Sequence, residues 1–191
     1  MADTAAPTTA TPPVTAPSVS AGAAPLVSAR VLAAAFTALR IFTGLVWLSN
    51  ALAKLFDKGA FDLGFFSFNL VTRGAARSIA TGASSRTQIA PLGAFYRDVV
   101  LPHWGFFGTF LTVAELAIGL GLIFGLATRL AALGGLLLIG PIWVMLWHTG
   151  DYLWTYPAED LFPLLLLAIV PAGRTAGLDT RLAARFGHWP F

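Results

Sequence analysis

Three stretches of this chain, residues 31–55, 104–126 and 130–147, are apolar almost without interruption. Each is close to the roughly 20 residues a helix needs to cross a hydrocarbon core of about 30 Å. Such segments must either be buried in a large soluble core or lie in lipid, and composition decides between the two. Of the 191 residues 57% are apolar and only 11% charged, against about 25% charged in an ordinary soluble domain. A water-soluble fold would have to leave large apolar patches exposed, which soluble monomers rarely do. The expectation is an all-α integral membrane protein.

A fourth segment is weaker. Its strongly apolar part, residues 161–172, would rise only about 18 Å as a helix. Starting at Pro157, with Glu159 and Asp160 near a helix N-terminus that favours both residue types, extends it to about 16 residues. The predicted architecture is thus a four-helix transmembrane bundle over residues 30–182, with a short C-terminal tail at 183–191. Residues 1–29 are mostly Ala, Pro, Thr, Ser and Val and lack large side chains to bury, so this tail is expected to be disordered. It has neither the basic start nor the continuous apolar run of a secretory signal.

An even number of spans puts both termini on one side. The short connection between the second and third segments carries Arg129, whereas the connection after the third carries no Lys or Arg. The positive-inside rule then places both termini in the cytoplasm, the bundle lying in the cell membrane. Trp104, Trp147, Tyr152, Trp154 and Tyr156 all fall at the opposite boundary, as an aromatic belt would. The basic residues form no run or stripe but sit at the ends of apolar segments, where anionic headgroups attract them. The implied partner is the lipid bilayer, and nucleic acid is excluded.

Nearly fifty residues separate the first two spans. Phe61, Phe65, Phe66, Phe68 and Leu70, followed by Arg73 and Arg77, suggest an interfacial helix with its arginines toward phosphate. Residues 80–87, small and polar, are expected to be a loop, and residues 94–100 a second short interfacial helix. An irregular loop lying on the bundle would explain the same pattern.

Ionisable groups inside a bilayer are costly and usually face the bundle interior. Arg40 would lie roughly 13 Å and Glu115 roughly 16 Å from the terminal-side boundary, at 1.5 Å per residue. That similarity of depth predicts an intramembrane Arg40–Glu115 ion pair, first of all a structural pair that fixes register, with proton or substrate handling as the other role. Arg40, Gly44, Trp47, Ala51 and Lys54 share one face of the first helix at spacings of three and four, with Asn50 beside them. Gly108, Thr112, Glu115 and Gly119 form a comparable stripe on the second. Gly121 and Gly125 make a GxxxG that allows close helix approach. His103 and His148 fall at the same boundary, where two facing histidines could hold a haem or a metal. Hydrogen bonding to headgroups or water is the plainer reading of both. The chain has no cysteine, so no disulfide, Cys-ligated metal or thiol chemistry is available. No phosphate loop, HExxH or GxSxG occurs, and no metal site or resident cofactor is evident.

The second span reads Glu115-Leu-Ala-Ile-Gly119-Leu-Gly121-Leu-Ile-Phe-Gly125-Leu-Ala-Thr128-Arg129-Leu-Ala131-Ala132. It resembles the DoxX/DoxD family of four-helix membrane proteins, whose pattern of Glu, Gly and Leu leads into a Gly-Leu-x-Thr-Arg turn. Arg40, Gly44 and Asn50-Ala-Leu-Ala-Lys54-Leu are similar to that family's first-span element, and Ala172-Gly173-Arg174 with Gly177-Leu178-Asp179 to its C-terminal ending. The resemblance covers residues 31–182, and Pro102-His103 after a long first loop leans toward the DoxD branch. It implies a four-helix fold and a membrane subunit of a thiosulfate:quinone oxidoreductase, with quinone as substrate and a second oxidoreductase subunit as partner. A quinone pocket would then be lined by Trp47, Asn50, Lys54, Trp147 and His148. The alternative is a non-enzymatic membrane scaffold that anchors a soluble redox or stress-response partner.

Overall fold

The computed structural model describes residues 27–62, 64, 67–149, 158–187, 189 and 191. Helix α1 (Ala29–Phe56) begins where the Ser28 hydroxyl accepts the Val31 N–H at 3.3 Å, supplying an acceptor to a helix end that lacks one. It stops at Asp57, whose φ of 53° breaks the helical path. A two-stranded antiparallel hairpin follows, β1 (Ala60–Asp62) with β2 (Ser67–Asn69), Phe61 opposite Phe68. Asp62 Oδ1 accepts the Gly64 N–H at 2.7 Å, and Gly64 takes the positive φ of 82° that the turn requires.

Helix α2 (Arg73–Arg86) is capped by Thr72, and α3 (Ala90–Phe95) runs on into a π-helical turn, Tyr96–Val100. The long helices α4 (Trp104–Phe124) and α5 (Thr128–Leu146) come next, then the twelve-residue α6 (Ala158–Ile169). A 3₁₀ turn, Ala172–Arg174, leads to α7 (Asp179–Phe186). Helix α1 packs mainly on α4, α4 on α5 and α5 on α6, and α6 closes back onto α1. The shared core gathers Trp47, Ile118, Leu122, Ala132, Leu164 and Leu167.

Among the described residues, α1, α4 and α5 are long and apolar enough to cross a membrane. Their outward residues fit that environment: Leu137 is 77% exposed and Phe106 69%, which is tolerable against lipid and not against water. The chain is a predominantly helical membrane protein, with three helices among the described residues that can span a bilayer. Helix α6 belongs to the bundle but is too short to count with them. The N-terminal tail to residue 26, the aromatic cluster Tyr152, Trp154 and Tyr156, and Pro157 lie outside the described residues.

The segment between the first two spans differs from its sequence reading. Phe61 and Phe68, expected in an interfacial helix, lie in the two strands of the hairpin, Phe65 and Phe66 lie outside the described residues, and the helix begins only at Arg73, after the Thr72 cap. Residues 80–87, expected as a loop, lie in α2 as far as Arg86. The reason is packing. Ala80, Ala83 and Ser84 are buried, Ala83 against Met145 and Leu146 of α5. Small side chains that look uncommitted in sequence let this helix lie close to the bundle.

The α1–α4 contact depends on two glycines. A Cβ on Gly119 would lie 2.7 Å from the Leu48 nitrogen, and one on Gly44 would lie 2.9 Å from the Ile123 nitrogen. Both neighbours are backbone and cannot rotate away. Gly119→Ala is expected to cost about 1–3 kcal/mol through overpacking. Thermal unfolding in detergent checks this, with Gly105→Ala as control, since nothing lies within 4 Å of a Cβ there.

Candidate functional site

Two buried clusters hold the polar groups that the sequence analysis singled out. The first lies at the hairpin end of the bundle. Lys54 Nζ sits 2.8 Å from Glu115 Oε2, with 1% and 12% of the two side chains exposed. The same ammonium donates to the Val71 carbonyl at 2.9 Å. One turn earlier on α1, Asn50 Oδ1 accepts the Val71 N–H at 2.9 Å, and its Nδ2 donates to the Val46 carbonyl. Asn50 and Lys54 thus hold the N–H and the carbonyl of one residue, Val71, and tie the chain leading into α2 onto α1.

This ion pair stands in the wall of a partly open cavity of about 330 Å³ bordered by α1, α2, α3, the π-helical turn, α4, α5 and Asp160 of α6. Its walls are mostly apolar, with Trp47, Trp104, Phe107 and Ile142 prominent. Its polar groups are Asn50, Lys54, Glu115, Tyr96 and Asp160. The indole Nε1 of Trp47 is buried and has no hydrogen-bond partner among the described residues. Burial pushes the Tyr96 phenol up from its ordinary value, because desolvation disfavours the phenolate, so it remains a hydroxyl donor. Pro141 also lines the cavity and has no N–H to offer the carbonyl of Leu137.

The second cluster lies at the opposite end, around the α4–α5 turn. Arg40 is wholly buried. Its Nη1 donates to the carbonyls of Leu122 at 2.8 Å and Ile123 at 3.3 Å, and its Nη2 to that of Ala176 at 3.2 Å. It therefore caps the electronegative C-terminus of α4. Asp179, also buried, accepts the N–H groups of Ala127 at 2.6 Å and Thr128 at 2.9 Å, capping the N-terminus of α5 from 51 residues away. Gly125, Gly173 and Gly177 make this meeting sterically feasible: a Cβ on any of them would collide with Arg40, Asp179 or the Gly173 carbonyl.

The predicted Arg40–Glu115 pair is therefore not formed, because the two residues lie at different depths. The first turns of α1 extend past the end of α4, which puts Arg40 level with Leu122 rather than with Glu115. Lys54 is the cation that reaches Glu115. Of the residues expected to line a pocket, Trp47, Asn50 and Lys54 border the cavity, while Trp147 and His148 are exposed outside it. The polypeptide leaves α5 at Leu146, and these two side chains fall beyond the helical register that faces inward. His103 bonds through Nδ1 to the Val99 carbonyl of its own turn. Among the described residues no three His, Asp or Glu side chains gather as a metal site would require.

The sequence reading missed Tyr96, Phe107 and Asp160, and no spacing pattern links them to α1. Comparison with protein-family models, with curated proteins and with solved structures gave no match. Chemically, the cavity offers hydrogen-bond donors from Lys54, Trp47 and Tyr96 to a flat, largely apolar molecule, and it places a carboxyl group beside them.

Proposed function

We propose that this chain is the membrane subunit of a quinone-linked oxidoreductase, of the DoxX/DoxD kind that its motifs resemble, and that the cavity receives the quinone ring. The observation that supports this most directly is the composition of the cavity wall. Apolar and aromatic surface surrounds a buried ammonium–carboxylate pair and an indole N–H that has no partner among the described residues, and pockets for small molecules combine these same features. A quinone brings two carbonyl acceptors and a flat ring. Lys54 and Trp47 offer donors to the carbonyls, and Trp104 and Phe107 offer flat contact. Reduction to the quinol consumes two electrons and two protons; on this reading a partner subunit oxidising thiosulfate supplies the electrons, and Glu115 is positioned to relay a proton. The same reading takes α6 and the residues before it as the fourth span and puts both termini in the cytoplasm.

The test is saturable binding of a short-tailed benzoquinone to the purified full chain in nanodiscs, followed by quenching of tryptophan fluorescence. Ala76 borders the cavity from α2, and Ala76→Phe should fill it and weaken binding by about tenfold or more, equivalent to at least 1.4 kcal/mol. Thiosulfate-dependent quinone reduction with the partner present should fall in parallel. Quenching that only follows quinone partitioning into lipid, identical in Ala76→Phe, would sink the reading.

A further inference from the structure

A second hollow lies beside the cavity. It runs between α4 and α5 on the membrane-facing side, has a volume of about 750 Å³, and no described residue lining it has a polar side chain. Ala117, Gly121, Phe124, Leu130 and Gly134 are among its walls. It meets the cavity at Phe110, Leu137 and Leu138, which border both. Phe110 is 54% exposed, so the junction faces the bilayer and not a closed core. From Phe110 to Phe124 the groove follows α4 for roughly 21 Å at 1.5 Å per residue.

We propose that cavity and groove form one site for an amphiphile, its compact polar head in the cavity and its long hydrocarbon tail lying along the α4–α5 groove. The identity of the head rests on the quinone reading; the tail site rests on the geometry of the groove. The division of chemistry supports a single occupant. Among the described lining residues, every charged or hydrogen-bonding side chain lies on the cavity side of Phe110 and Leu137, and none lies beyond them. The volume of the cavity suits a ring and leaves a long chain nowhere to go within it, while the adjoining groove is open, apolar and directed along the membrane-crossing axis of α4. Lipid tails are as apolar as the groove itself, so a tail gains there by close packing and not by leaving water. The small residues Ala117, Gly121 and Gly134 provide the depth for that packing. The substrate class that follows is a membrane-borne, long-chain isoprenoid quinone which enters sideways from the bilayer past Phe110 and Leu137.

The full chain in nanodiscs is irradiated with a benzoquinone that carries a photoreactive group at the end of a long isoprenoid tail, and adducts are mapped by mass spectrometry. Adducts are expected on Phe124, Leu126 and Leu130, and excess short-tailed quinone, which competes only for the cavity, should reduce them about tenfold. Ala117→Trp, a substitution at an exposed groove position, should abolish these adducts and leave the affinity for the short-tailed quinone unchanged. Adducts spread evenly over the lipid-facing sides of α1, α4 and α5, or labelling of the groove that the competitor does not affect, would overturn the tail site. Labelling by a photoreactive phosphatidylcholine acyl chain with the same pattern and intensity would overturn it too, since the groove would then hold ordinary lipid. The quinone reading fails separately, by absence of saturable short-tailed quinone binding.

Discussion

Lys54→Met should lower the stability of the folded protein by about 3–5 kcal/mol, the usual cost of stranding one partner of a buried ion pair. The carboxylate left behind is Glu115, only 9% exposed and facing a mostly apolar cavity. The Val71 carbonyl loses its donor as well, and an unsatisfied buried acceptor adds its own penalty. Adding Glu115→Leu should recover most of the loss, because a buried pair replaced by apolar groups is often close to neutral. What remains should correspond to the Val71 carbonyl contact, and Asn50→Ala, which releases the N–H of the same residue, should produce a loss of similar size. The measurement is a double-mutant cycle of unfolding in detergent. A double variant no more stable than Lys54→Met alone would mean that Lys54 and Glu115 do not act as a pair.

The membrane class of this protein was legible from three apolar runs, and its long helices fall within a few residues of where hydropathy places them. Depth was not. Counting residues from the ends of apolar segments assumes that neighbouring helices start level, and α1 overhangs α4 by several turns. A better marker was present in Gly44 and Gly119, the two residues that permit backbone contact. Matching those glycines sets Arg40 opposite Ile123 at the end of α4 and Glu115 opposite Leu48, about 9 Å along the axis from Lys54 and farther from Arg40. The cavity was half legible for a related reason. Trp47, Asn50 and Lys54 repeat along one helical face, but Tyr96 of the π-helical turn and Asp160 of α6 come from segments with no periodic tie to α1. The hairpin was hidden because three-residue strands carry too short an alternation to separate them from an aromatic interfacial helix. Helix α2 was hidden because Ala, Gly and Ser at close-packed positions look the same as Ala, Gly and Ser in a loop.

At the other end of the bundle, Asp179→Ala is expected to cost about 3–5 kcal/mol, as much as breaking the Lys54–Glu115 pair. Its carboxylate is 1% exposed and accepts two N–H groups at the start of α5. Charge-assisted hydrogen bonds of this kind are worth roughly 1.5–3 kcal/mol each, and their loss leaves the buried Thr128 donor and the half-buried Ala127 donor unsatisfied. Asp179 is also the acid whose charge acts on Arg40, so its removal leaves a fully buried guanidinium supported only by carbonyl dipoles. Asp179→Asn should be milder, by about 1–2 kcal/mol, since one oxygen can still accept while the amide nitrogen faces an N–H it cannot serve. Arg185→Ala, on the exposed side of the same α7 helix, should change stability by no more than about 0.5 kcal/mol. The effect of the aspartate would then belong to the cap and not to the helix that carries it. Because Asp179 joins the last helix to the α4–α5 turn, its loss should also free the C-terminal segment before the bundle melts, read as early protease cleavage after Arg174 or Arg181. Equal losses in the alanine and asparagine variants, with no early cleavage, would mean that the steric fit of Gly125, Gly173 and Gly177 holds this junction and the carboxylate adds little.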